Sequence, residues 1–340
     1  MASSNIAEDI LQASGAKPII GSKWKTTKPV RATKESFLDL LEGRTPLLHE
    51  AEFVSQENCS KLTNALEPRL TPYLHATGPK LAKVGIAQFE YQAQSEDDLK
   101  NRSGNGTYSH DQTLKSLSVV GCVFSTVANQ NSEKQQYFQA VRELGDSHGR
   151  LEAEVGFNAF AKVFEFIKSI APDDWEVMLA TEEVKNEPTN GAFGTQSYFA
   201  GIFRVINDGT PVHCDWAPYD TRTESWSISR VTRQVAVNLC VTPPPLNSGG
   251  TTVHELQWSP EALAFRDPES YGYFPGLVEG YKQTDFQPCM GDLYLFNSRN
   301  MHQVHPVPPE TGVRRLAMSS FLGVLPPLNE GEKTKLVFWG

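Results

Sequence analysis

The feature that most constrains this chain is a change of rhythm near Ser197. From there on the apolar residues come in short runs, several of them alternating: SYFAGIFRVI, RQVAVNLCVT, GTTVHELQW, GDLYLFNS and RLAMSSFLGVL. Pro and Gly clusters such as PPPLNSGG and PVPPETG separate them. Runs of this length between turn signals read as strands of an antiparallel sandwich or barrel. The first half mixes helices and strands by contrast. A short helix is expected around Glu35 to Leu41, and residues 51–69 set Phe53, Cys59, Leu62 and Leu66 at mainly helical spacing, with Ser55 as N-cap. Residues 151–171 place Phe157, Phe160, Phe164 and Ile167 at helical spacing too. Between these, the polar stretch 91–116, with Gly104-Asn105-Gly106, reads as an exposed turn, and SLSVVGCVFSTVA reads as a buried strand. The expected organisation is an arm over residues 1–45 and one domain over 46–340, its β core at about 195–325 carrying N-terminal helical additions.

Composition narrows the classes of function. With 340 residues, 39% hydrophobic and 21% charged, the chain can bury a substantial core. A formal charge of -9 gives no general attraction to phosphate backbones or anionic membranes, so neither nucleic acid nor membrane is an expected partner. No apolar run reaches the roughly 18 to 20 residues that cross a bilayer, and the N-terminus lacks a signal-peptide apolar core; a cytoplasmic location is expected. Five cysteines, an odd number with no CxxC pair, argue against a disulfide framework and structural zinc. The oligomeric state has no sequence signal.

The chemistry concentrates in two segments. Val212-His213-Cys214-Asp215-Trp216 sets an imidazole and a carboxylate two residues apart, hence on one side of an extended backbone. A second imidazole follows the strand-like GDLYLF, as His302 or His305, which cannot both point the same way from an extended strand. His305 precedes Pro306 and begins a Pro-rich turn, which favours His302. Two His and one carboxylate leave positions open on iron(II), as binding of an oxoacid and dioxygen requires. PVPPETG can then reverse the chain, as in an irregular hairpin, and bring Arg315 back beside the His302 strand. There its guanidinium can grip the far carboxylate of an oxoacid, with Ser319 at the same strand parity adding a hydroxyl.

In this order the motifs resemble the iron(II)/2-oxoglutarate-dependent dioxygenase superfamily: His213-x-Asp215, GDLYLFNSRNMHQVHPV and RLAMSSF, with RQVAVNLCVT and the Gly249-Gly250-Thr251-Thr252 turn between them. The resemblance spans about residues 195–325. It implies an α+β protein with a double-stranded β-helix (jelly-roll) core. It also implies Fe(II) on His213, Asp215 and His302, 2-oxoglutarate held at its C5 carboxylate by Arg315 with Ser319 as helper, and O2 as the second co-substrate. Thirteen residues from His302 to Arg315 is a long separation, which keeps Arg314 open as the anchor. Within the superfamily, HCDWAPYD followed by a Trp and QVAVNL is similar to fungal oxygenases of small-molecule biosynthesis, in particular those that oxidise free branched amino acids such as valine to an aziridine or a 2-aminoisobutyrate product. A small-molecule partner follows. For its pocket the candidates are Trp216 and Tyr219, which follow the ligands, and Arg204 on the preceding strand, for an anionic substrate or 2-oxoglutarate. The apolar tail KLVFWG is expected to dock, either against the barrel exterior or, through Leu336 or Phe338, over the active-site mouth. The competing readings are a peptidyl or other small-molecule hydroxylase of the same superfamily, and a non-catalytic β-barrel binding protein.

Overall fold

The computed structural model describes residues 24–73, 82–91, 133–185, 193–221 and 226–340. The expected turn at 104–106 and the strand SLSVVGCVFSTVA lie outside them. The helices are α1 (Lys34–Leu41), α2 (Gln56–Leu66), α3 (Glu133–Leu144), α4 (Ser147–Val155), α5 (Ala159–Ile170) and the single turn α6 (Ala217–Asp220). The caps explain their starts. Thr33 and Ser36 form a reciprocal capping box on α1, while Ser55 and Asn158 accept from the free amides of α2 and α5. The helical stretch expected over 151–171 is two helices. Gly156, left-handed at φ 73, closes α4, and Asn158 opens α5 two residues later, a break that the Phe spacing alone does not reveal.

The strands are β1 (Leu48–Glu50), β2 (Thr71–Pro72), β3 (Ala82–Val84), β4 (Glu176–Leu179), β5 (Thr181–Lys185), β6 (Phe193–Ser197), β7 (Ile202–Val205), β8 (Arg233–Thr242), β9 (Thr251–Gln257), β10 (Gln283–Phe286), β11 (Leu293–Asn297), β12 (Asn300–Val304), β13 (Leu316–Leu325) and β14 (Lys335–Trp339). A large sheet runs β1-β11-β8-β13-β7-β3-β2, with β14 beside β13 and β4 beside β14; a smaller one runs β10-β9-β12, and β5 pairs with β6. Neighbours are antiparallel except β14 and β4. The protein is thus α+β with mainly antiparallel sheets. SYFAGIFRVI is not one strand, since β6 ends at Ser197 and β7 begins at Ile202.

Strand alternation sorts the large sheet into two faces. Val235, Val237, Leu239, Leu293, Leu295, Met318 and Leu322 pack against α1, α2, α4 and α5 in the main core. Residues of the other parity, Ala236, Tyr294 and Phe296, meet Val253 and Phe286 of the small sheet, so the two sheets face each other across a second cluster. Residues 24–45 belong to this body: Phe37, Leu40 and Leu41 are buried in the main core and Trp24 in the inter-sheet cluster.

Of the two placements open to the tail, the structure shows packing, and neither Leu336 nor Phe338 is free to close a mouth. Phe338 is fully buried, pairs in register with Leu322 and packs on Phe160 and Phe164 at ring separations of 5.6 and 5.5 Å. Leu336 shares that helix-side cluster. Pairing with β13 decides this parity; Trp339, opposite Phe321, takes the other face. Phe338→Ala is therefore expected to lower the unfolding free energy by about 3–5 kcal/mol in a urea titration. A loss of turnover with unchanged stability would instead put Phe338 at the mouth.

Candidate metal and 2-oxoglutarate centre

Backbone pairing brings His213 and His302 together. The His213 amide donates to the His302 carbonyl at 2.9 Å, and the His302 amide donates back at 2.8 Å. Residues directly opposed in an antiparallel pair project to the same face, so this bridge aligns the imidazoles, with ring centroids 4.2 Å apart. Asp215, two residues on, returns to that face while its amide donates to Ser298. The approach requires Gly209. At φ +74, a Cβ there would lie 2.6 Å from the Val304 carbonyl oxygen of β12.

One ligand atom from each of His213, Asp215 and His302 lies within 4.8 Å of the others. Asp215 Oδ2 is 3.3 Å from His302 Nε2 and 3.9 Å from His213 Nε2. Each ring has its Nδ1 against a backbone carbonyl, His213 with Pro211 at 2.9 Å and His302 with Asn300 at 2.8 Å. With Nδ1–H donated outward, a neutral imidazole presents its Nε2 lone pair to the centre. Burial first, then the neighbouring His302, pushes His213 down to about 4, so it stays neutral at ordinary pH. Burial pushes the Asp215 carboxyl up, but the His302 contact and the charges of His213, His302 and Arg204 together hold it below its usual value. Two imidazole nitrogens and a carboxylate oxygen thus converge, an arrangement that a cation would satisfy. The donor set of two imidazoles and one carboxylate suits iron(II).

His305 points elsewhere: exposed, it sets Nε2 2.8 Å from Thr252 Oγ1. Arg314 is exposed too, whereas Arg315 is 3% exposed. Arg315 reaches its place by a route other than the expected hairpin. β12 belongs to the small sheet and β13 to the large one, so residues 305–315 cross between sheets. Asn207 secures that crossing, accepting from the Arg315 amide at 3.0 Å and donating to the Val313 carbonyl at 2.6 Å. The Arg315 side chain donates through Nη2 to the Tyr294 hydroxyl at 3.0 Å, while its buried Nε has no hydrogen-bond partner among the described residues. An orphaned guanidinium N–H inside the protein suits an incoming carboxylate. Ser319 sits at the same parity as Arg315, its Oγ donating to Asn238 Oδ1 at 2.8 Å.

The aromatic neighbours sort differently from expectation. Trp216, alternating away from Asp215, packs under Arg299 at 5.0 Å, and Tyr219 lies 4.2 Å from the Trp258 ring; both belong to a cluster with Met301 and Leu256, whose strand parity is opposite to that of His302 and Val253. Trp226 packs with Tyr137, Phe138 and Tyr198. The aromatic groups beside the triad are instead Tyr271, 5.5 Å from His213, and Phe296, 4.8 Å from His302. Phe296 could have been read from the parity of GDLYLF, but Tyr271, in a loop far from the motifs, carries no such signal.

The titration of the metal-free protein is predictable. His254, buried on β9, is likewise pushed down to about 4, by burial first. The unfolded chain protonates these two groups near their ordinary value of about 6.5 while the folded chain resists, so the stability they contribute is complete above that pH and is lost as pH falls toward 4. Denaturation midpoints should fall between about pH 7 and pH 5, and the fall should be shallower by about one proton in His254→Asn. Equal slopes would show that His254 charges freely in the folded state.

No protein-family model matches the chain. Leucinostatins biosynthesis cluster protein S of Purpureocillium lilacinum is 30% identical over 223 residues, covering 65% of this chain and 85% of that protein. The chain belongs to the family of this leucinostatin-cluster protein. L-gamma-glutamyl-L-propargylglycine hydroxylase of Streptantibioticus cattleyicolor is 34% identical over 137 residues, 40% of this chain and about half of that hydroxylase, 49%. Among solved structures, an N-substituted L-amino acid dioxygenase of Burkholderia ambifaria, in complex with alpha-ketoglutarate (2-oxoglutarate), aligns over 90% of this chain and 91% of its own, with TM-score 0.49 and 13% identity. The epimerase SnoN from nogalamycin biosynthesis aligns over 88% and 95%, with TM-score 0.39 and 11% identity. No described helix is long and apolar enough to cross a membrane.

Proposed function

We propose that this chain is an iron(II)/2-oxoglutarate-dependent dioxygenase that holds iron(II) with His213, Asp215 and His302 and the distal carboxylate of 2-oxoglutarate with Arg315, and that it oxidises an aliphatic C–H bond of a small molecule, a free amino acid such as valine. The observation that carries the metal site is the convergence of two Nε2 lone pairs and one carboxylate, each ring locked by its Nδ1 contact. Two facing, mainly antiparallel sheets, with His302 on the small one and His213 bridged to it, support a double-stranded β-helix core. When bound, the iron supplies the open positions at which 2-oxoglutarate and dioxygen meet, and the oxidising power for the C–H bond. The residues do the rest. The His213–His302 backbone pair sets the angle between the imidazoles, and Arg315, steadied by the Tyr294 hydroxyl, sets the depth to which the oxoacid enters. Burial pushes the Tyr294 phenol up, so it stays protonated. Phe296 and Tyr271 shield the ligands from bulk water.

The substrate assignment is supported by the acidic composition, which disfavours polyanions, and by a relative named for hydroxylating a γ-glutamyl amino acid with an aliphatic side chain. The test is anaerobic addition of iron(II) and 2-oxoglutarate, watching for the weak visible charge-transfer band of a chelated oxoacid. Valine and isoleucine are then added. The expected result is a band that the amino acid shifts. A protein that binds iron without giving the band would remove the Arg315 assignment, and a band that no amino acid perturbs would remove the substrate class.

A further inference from the structure

We infer that Arg204 is a second anion site, which takes a free carboxylate of the substrate while Arg315 takes 2-oxoglutarate. The inference rests on the reading just given and names the chemical class of the substrate. Arg204 lies on β7 directly opposite Ala317 of β13, between Arg315 and Ser319 on the same face. Diagonal neighbours of this kind stand about 7–8 Å apart, close enough for two guanidinium groups to share one cavity. Ala317 in turn opposes Cys240 of β8, which shares the parity of Ala236, so Arg204 lies on the face turned toward the small sheet that carries His302.

The local charge balance is one anion short. Across β7 from Arg204 stands Lys83 on β3, a buried cation already satisfied by Glu90 at 2.7 Å and by the Gly85 carbonyl at 2.9 Å. Arg315 has Tyr294 and, when loaded, the oxoacid. Arg204 has neither: its Nε and Nη2 are buried with no hydrogen-bond partner among the described residues. Those two nitrogens form one edge of the guanidinium, the edge that binds a carboxylate through two parallel N–H···O bonds. Phe89 lies against the group at 5.8 Å and holds its plane, leaving that edge free. A neutral amide or ester offers one acceptor and no charge, and would leave the edge half-satisfied in a partly dry pocket. The substrate therefore arrives with its carboxyl group free. In a reaction sequence, this oxidation precedes any step that activates that carboxyl as a thioester or condenses it into an amide.

The test is binding, not turnover. Protein loaded with manganese(II) and 2-oxoglutarate is titrated by calorimetry with L-valine, L-isoleucine and γ-glutamyl dipeptides of aliphatic amino acids, each alongside its C-terminal amide. At least one free acid should bind, its amide about 10- to 100-fold more weakly, and Arg204→Met should lose the acid by a similar factor. In that variant 2-oxoglutarate affinity should stay within about threefold, which also shows that it folds, while Arg204→Lys should recover part of the acid affinity. Equal binding of acid and amide, no binding of any free acid, or a variant that loses 2-oxoglutarate and keeps the acid would each overturn the assignment. Failure of the wild-type protein to bind 2-oxoglutarate would instead strike the proposed function itself.

Discussion

His302→Ala is expected to abolish iron-dependent succinate formation, a loss of about a thousandfold or more, because residues that act as one catalytic unit fail together. The side chain is 4% exposed and its Nε2 is the atom nearest the Asp215 carboxylate. Removing it leaves one imidazole and one carboxylate, too few protein donors to fix three positions around an ion and keep the others open. His213→Ala and Asp215→Ala should behave alike. His305→Ala, three residues away, should retain most of the rate, since that ring touches Thr252 at an exposed edge. The measurement is succinate release alongside metal content, with a thermal melt to confirm folding. Activity surviving in His302→Ala and vanishing in His305→Ala would reverse the assignment.

The second large effect is expected at Arg315. Arg315→Ala should weaken 2-oxoglutarate by about 2–5 kcal/mol while iron binding changes little, because a carboxylate is then left unpaired in a buried pocket. Calorimetric titration of manganese-loaded protein reads both quantities. Arg314→Ala is the internal control: its side chain is exposed, and its oxoacid affinity should stay within about twofold, as for most surface substitutions. Tyr294→Phe, which removes one partner of Arg315 without removing charge, should fall between the two. Loss of affinity in Arg314→Ala with none in Arg315→Ala would move the anchor by one residue.

These residues also show what can be read from a one-dimensional string. His213 and Asp215 were legible because spacing by two on an extended backbone puts both on one face whatever surrounds them. Ser55 as a cap and the β-rich second half were legible for the same reason: they depend on local backbone geometry and on alternation. Other assignments depended on which face of a strand looks inward, and period-two alternation alone cannot say that. The proposed choice of His302 over His305 rests on the backbone pair with His213; that of Arg315 over Arg314 rests on the pairing of β13 and on Asn207, which pins the crossing between sheets. The same rule turned Phe338 toward the helices and Trp216 away from Asp215. Tyr271 comes from a loop that no motif covers, and the contact of Tyr294 with Arg315 and the edge of Arg204 left unpaired among the described residues depend on pairing between distant strands. Local spacing determined the donor types and the chemistry open to them, whereas register and sheet-to-sheet packing, which are long-range, decided which of them meet.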